Sequence, residues 1–226
     1  MTARIDDDDA PDYEVMLDEI VRMARESQPY TGIAEFSPQV LAALGSVPRH
    51  RFVPPDRKYS ACCNRPLSIG HGQTISQPYI VALMSELLRL DPHCTVLEVG
   101  AGSGYQAAVL AELAGQVYSI EIVEPLAEAA AARLKELGYA NVQVRCGDGY
   151  AGWPEHAPFD AIMVTAAALH IPQPLVDQLK PGGRMAIPIG APYTTQDLQL
   201  VEKDAAGHAH KRSVLPVVFV PLTGEH

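Results

Sequence analysis

Three carboxylates stand at regular intervals in the middle of the chain, each at the close of a short apolar run. Glu98 precedes Gly100-Ala101-Gly102-Ser103-Gly104, Glu121 ends the run 116–121, and Asp148 lies between Gly147 and Gly149 after the run 142–146. Glycines at alternate positions let the backbone turn sharply and let a ligand lie against the main chain. The spacing is G-x-G-x-G. A dinucleotide fingerprint, G-x-G-x-x-G, needs its last glycine at 105, where this chain has a tyrosine. The acid at Glu98 further disfavours a pyrophosphate pressed on the turn. A carboxylate at Glu121 can accept both hydroxyl protons of a ribose, and Asp148 can accept from an adenine amino group. Singly, each acid reads as a solvated loop residue. At three successive strand ends they share one edge of a sheet, where ligands bind. A ligand with a ribose, an adenine and a positive charge but no phosphate is S-adenosylmethionine.

The surrounding pattern supplies that sheet. Apolar strands are expected at 95–100, 116–121, 142–146, 159–165, 184–188, 198–203 and 217–220. Helices are expected at 78–89, 104–114, 125–137 and 172–179, the third closed by Gly138. Alternating strands and helices give an α/β fold: a Rossmann-like, mostly parallel sheet. The last two strands have no helix between them and pair antiparallel at one edge. Two further helices, 12–27 and 37–45, form an N-terminal helical layer; the second opens with Ser37 as cap and Pro38 as first residue. Residues 47–78 read as a long ordered loop with short strands, a length that usually marks function.

Composition bounds what the site can serve. With 226 residues the chain suits one generous domain. We expect an acidic disordered tail over 1–12, carrying Asp6 to Asp9, and one domain over 13–226. Within that domain, 13–78 holds the helices and active-site loop and 79–226 the cofactor-binding core. Net charge is −10, from 17 basic and 27 acidic residues, which disfavours nucleic acid or an anionic membrane as partner. The four cysteines form no CxxC pair, so no metal site is expected. They read as reduced thiols of a cytoplasmic protein.

The segment Ile69-Gly70-His71-Gly72-Gln73-Thr74-Ile75-Ser76-Gln77-Pro78, together with 97–106, closely resembles the protein-L-isoaspartate O-methyltransferase family. Gly147-Asp148-Gly149, Leu179-Lys180-Pro181-Gly182-Gly183 and Phe219-Val220-Pro221-Leu222-Thr223 extend the resemblance from about residue 32 to 224. It implies methyl transfer from S-adenosylmethionine to the free α-carboxyl of L-isoaspartyl residues in damaged proteins and peptides, leaving S-adenosylhomocysteine. The ester then closes to a succinimide that hydrolyses partly to aspartate. The family's catalytic serine falls on Ser76. Gln73, Thr74 and Ile75 would wall the pocket, Glu98, Gly100, Gly102 and Gly104 form its cofactor turn, and Glu121 its ribose acid. Asp148 with Gly149 lies on the adenine side, and Thr223 closes the site. The same residues also suit a carboxyl methyltransferase for an aspartate in a dedicated peptide, or a cofactor-binding module without activity.

A carboxylate is already ionised at neutral pH, so this chemistry needs alignment more than a base. The Ser76 hydroxyl can hold one carboxylate oxygen; its other reading is the cap of the helix that follows. His71 reads as an exposed loop imidazole. Tyr150 and Trp153 could stack on an adenine but more commonly pack in a core. Four places depart from the family pattern: Cys62 for Tyr, Asn64 for Asp, Ser68 for Pro and Val218 for Arg. They bear on substrate recognition more than on the cofactor.

Overall fold

The computed structural model describes residues 13–224; the expected acidic tail lies outside them. Helix α1 (Tyr13–Thr31) buries Met16, Ile20 and Ala24 at helical spacing. It runs past the expected end at Ser27, taking Pro29 into its last turn. Gly32, at φ +75°, stops it by donating its N–H to Gln28 O at 2.9 Å. In α2 (Pro38–Ser46), Ser37 Oγ accepts from Val40 N, as its sequence position suggests. The long loop contains two 3-10 turns, Arg49–Phe52 and Pro55–Ser60, and a hairpin of β1 (Leu67–Gly70) and β2 (Gln73–Ile75).

The core then alternates: α3 (Pro78–Leu88), β3 (Thr95–Val99), α4 (Tyr105–Leu113), β4 (Gln116–Glu121), α5 (Glu124–Glu136), β5 (Val142–Cys146), β6 (Phe159–Val164), α6 (Gln173–Asp177), β7 (Leu179–Ile189), β8 (Gln196–Lys203) and β9 (Ala209–Val217). Seven strands form one sheet in the order β5-β4-β3-β6-β7-β8-β9. The first five are parallel and the last two antiparallel. Strand β3 has β4 on one side and β6 on the other, so the strand order reverses at its carboxyl end, where open α/β sheets hold ligands. Strand period 2 sends Val96 into a core shared with α1–α4, while Leu97 and Val99 face the opposite layer with Trp153, Phe159 and Leu175.

Two expectations at the antiparallel edge are corrected. The segment 180–183 does not separate a helix from a strand: β7 already begins at Leu179. Leu179 pairs Phe159 and Arg184 pairs Ala161, so the intervening residues bulge, with Gly182 at φ +82°. Residues 218–220 are not a strand; β9 ends at Val217. Positions 209–213 are all exposed, so this edge strand carries no apolar alternation over its first half.

Candidate active site

The glycine turn joins β3 to α4 and frames an open cleft of about 730 Å³. Gly100 has φ +99°, and a Cβ there would overlap Thr165 Oγ1. The hydroxyl of Thr165 explains that closeness: it lies 2.6 Å from Gly100 O and bonds the turn to the end of β6. Gly100 N and Ala101 N both donate to Ile120 O, tying the turn to β4. Gly104 serves differently. A Cβ there would sit 3.3 Å from Ala130 Cβ and Leu134 Cδ1, so the glycine lets α4 and α5 approach and does not line the cleft.

Of the three acids, Glu121 is on the cleft wall. It is buried, and its two oxygens accept from Gly102 N at 2.7 Å and Val123 N at 3.0 Å. A carboxylate has about four acceptor positions, so capacity remains for a diol. Glu98 is not on the wall. Its neighbours in the strand, Leu97 and Val99, face the other layer, which turns Glu98 inward, fully buried and hydrogen-bonded by Ser119 Oγ. Its Oε1 has no hydrogen-bond partner among the described residues. Burial pushes its carboxyl up to about 8 against the lowering effect of the Ser119 bond, with the Glu121 charge adding to the rise. Asp148 also stands off the wall: Oδ1 accepts from Tyr150 N at 2.9 Å, and Gly224 packs directly on the carboxylate. Gly149 does line the cleft, as does Thr223.

The hairpin brings Gln73, Thr74, Ile75 and Ser76 to the same cleft. Its turn is Gly70-His71-Gly72, all three at positive φ, with His71 exposed. Beyond the hairpin lies a second cleft of about 1160 Å³, walled by Met23, Tyr79, Ile80, Leu215 and Phe219 among others. The two clefts share Thr74, Ser76, Thr165 and Val220. Ser76 does not cap α3. The cap residue is Gln77, with no side-chain bond, and Asn64 Oδ1 instead accepts from Tyr79 N at 3.0 Å in the first turn. Ser76 Oγ makes no hydrogen bond among the described residues. Trp153 is in the core under the Arg145 guanidinium, and Tyr150 pairs with His170.

The charges on these walls are few. Among the described residues lining the first cleft there is no lysine, arginine or histidine, and Glu121 is the one charged side chain. That set suits a ligand with a diol and a cationic centre, and supplies no cationic side chain for a phosphate. S-adenosylmethionine therefore fits the residues present. No three His, Cys, Asp or Glu side chains converge to hold a metal among the described residues, and no helix among them is long and apolar enough to cross a membrane. Two further residues have no role assigned by the sequence pattern. Thr165 stands at a strand end as Glu121 does, which was a usable signal. Arg49, wholly buried behind Ser76, gave none.

A protein-family profile described as protein-L-isoaspartate(D-aspartate) O-methyltransferase matches residues 26–226. Protein-L-isoaspartate O-methyltransferase 2 of Polaromonas sp. is 61% identical over 210 residues, covering 93% of this chain and all of that protein. Protein-L-isoaspartate O-methyltransferase 1 of Cupriavidus necator is 58% identical over 221 residues, covering 98% of this chain and 85% of that one. Among solved structures, a Plasmodium falciparum chain described as a protein-L-isoaspartate O-methyltransferase, in complex with S-adenosyl-L-homocysteine, superposes with TM-score 0.78 at 26% identity. That match covers 93% of this chain and 98% of that one.

Proposed function

We propose, from the premise that the chain belongs to the protein-L-isoaspartate(D-aspartate) O-methyltransferase family, how its two joined clefts carry out that reaction. The enzyme is an S-adenosylmethionine-dependent protein-repair methyltransferase. Its substrate is the free α-carboxylate of an L-isoaspartyl residue in a damaged protein or peptide. The observation that carries the assignment of roles is that Ser76 lies on the wall shared by both clefts. When bound, S-adenosylmethionine supplies a methyl group on a sulfonium, an electrophile that needs no activation.

The first cleft would hold the cofactor. Glu121 would accept from the ribose hydroxyls, and Gly100 and Gly102 would let the cofactor lie against the main chain. Gln73, Ile75, Gly149 and Thr223 would complete the wall. Asp148 and Glu98 act from behind it, Asp148 by fixing the turn at Tyr150 and Glu98 by filling the space under β4. The second cleft, which has no charged side chain on its wall among the described residues, would take the peptide around the isoaspartyl residue. Ser76 Oγ, free of other bonds, donates to one carboxylate oxygen and leaves the other in line for transfer. The reacting charges cancel along the path, so the apolar wall favours the reaction by keeping water out. Met23 of α1 and Phe219 after β9 line the same cleft, which supports reading the chain from α1 onward as one working unit. The four cysteines form no disulfide among the described residues, which supports a reducing compartment such as the cytoplasm.

The test is methyl transfer to one peptide in isoaspartyl and aspartyl forms. The isoaspartyl form should be methylated and the aspartyl form not. Ser76→Ala should lower turnover at least about tenfold with cofactor affinity unchanged, a loss of roughly 1.4 kcal/mol in transition-state alignment. Equal transfer to both peptides, or full turnover by the variant, would refute the assignment.

A further inference from the structure

Arg49 is a buried cation without an acid. In the 3-10 turn after α2 it is 0% exposed. Its Nε donates to Ala61 O at 2.8 Å and its Nη2 to Ser76 O at 2.6 Å. The guanidinium carbon lies 4.6 Å from the centre of the Tyr105 ring. Among the described residues no carboxylate comes within 4.0 Å of it. The titratable groups that act on it are Tyr105, Cys62 and Tyr13, all neutral when protonated. Burial pulls its pKa below the ordinary arginine value, yet a guanidinium stays protonated at neutral pH. Removing such a charge from water is strongly unfavourable unless something answers it. Two carbonyls answer it in part, and one belongs to the serine at the junction of the clefts.

We propose that Arg49 is a positioning residue for Ser76 and the fixed positive charge against which the substrate carboxylate is bound. The inference rests on the functional reading above. Two bonds from one planar fork fix the Ala61 and Ser76 carbonyls relative to each other, and with them the direction of the Ser76 hydroxyl. The charge then lies behind the Ser76 carbonyl and lines neither cleft, so it acts on an anion at the junction at a distance, through a buried and weakly screened path. Methylation converts that anion into a neutral ester. The attraction therefore favours the substrate over its product, and the product leaves more easily.

The test compares an isoaspartyl peptide with an analogue whose α-carboxylate is an amide, by calorimetry with S-adenosylhomocysteine bound, on wild type, Arg49→Gln and Arg49→Lys. Wild type should prefer the carboxylate at least about tenfold. Arg49→Gln should reduce that preference below about threefold while binding the amide and S-adenosylhomocysteine as wild type does. Arg49→Lys keeps the charge and loses the fork, so it should keep the preference but lower kcat about fivefold or more. A purely structural role would weaken both peptides alike in Arg49→Gln; that result, or an unchanged preference, overturns the proposal. Should Arg49→Gln fail to fold, the lysine variant decides: wild-type kcat or a lost preference overturns it. A wild-type chain that binds S-adenosylhomocysteine but does not methylate the isoaspartyl peptide overturns the functional reading and this inference with it. A wild-type chain that does, beside an Arg49→Gln variant of undiminished preference, overturns this inference alone.

Discussion

Replacing Glu98 by glutamine changes one proton in the middle of the molecule and almost no volume. A glutamate in the unfolded chain ionises near 4.5, and the buried side chain ionises near 8. Between those values the folded state keeps a proton that the unfolded state has released. Stability therefore falls as pH rises, by about 1.4 kcal/mol per pH unit. This contribution is whole below 4.5 and is lost as pH passes through 8. From pH 5 to 7 the loss amounts to about 2–3 kcal/mol, a large part of a small domain's margin. The side chain is 0% exposed, so water does not screen the effect. Glutamine carries no such proton. Its carbonyl can still accept from Ser119, while its amide nitrogen takes the place of the unpartnered Oε1 at a cost of about 1–3 kcal/mol. That cost is the same at every pH and shifts the comparison without tilting it. In urea unfolding at pH 5, 6 and 7 without cofactor, the variant's stability relative to wild type should rise by about 2–3 kcal/mol across the series. Parallel profiles would refute a protonated Glu98.

Two further substitutions probe the walls of the clefts. Glu121→Ala should weaken S-adenosylmethionine binding at least about tenfold, roughly 1.4 kcal/mol, because it removes the one charged group on the first cleft; unchanged affinity in calorimetry would take Glu121 out of the site. Asn64→Ala should cost about 1 kcal/mol of stability in denaturant unfolding, because Tyr79 N then loses its acceptor in the first turn of α3, whereas Asn64→Asp should restore it; a variant as stable as wild type would show the cap to be idle.

The parts of the molecule legible in the sequence are those where one pattern has one structural meaning. Strand β4 begins and ends where its apolar run does, because a central parallel strand is covered on both faces and tolerates little else; β5, at the sheet edge, is legible from the alternation of Val142 and Val144 with polar residues. The glycine turn is legible for a similar reason: few other residues allow its positive φ angles. The same double burial hid the direction of Glu98. When both faces of β3 are covered, alternation does not reveal which face looks toward a ligand, and an acid beside a glycine turn reads as wall. Asp148 keeps two readings in the sequence because short acids bond their own backbone two residues on as readily as a ligand, and here Oδ1 accepts from Tyr150 N. The role of Arg49 is not legible in the sequence because it is tertiary: its partners, Ala61 and Ser76, are backbone carbonyls 12 and 27 residues away.

The departures from the family pattern gain sense from the same geometry. An aspartate is usual where Asn64 stands, and an arginine where Val218 stands. Asparagine keeps the carbonyl that α3 needs, and so leaves the Ser76 hydroxyl unoccupied by capping, but it carries no charge. Val218 is 75% exposed on the rim of the second cleft, where an arginine would bring a cation and compete for an incoming carboxylate. Losing the acid alone would leave that cation unbalanced, and losing the arginine alone would leave an anion to repel the substrate. Losing both keeps the second cleft neutral. On the roles proposed above, Glu121 brings a negative charge to the cofactor side of the junction and the buried Arg49 a positive one behind the serine. Opposite charges at opposite ends orient a sulfonium and a carboxylate toward each other before any bond forms, which is where a reaction between two ready-made ions needs help.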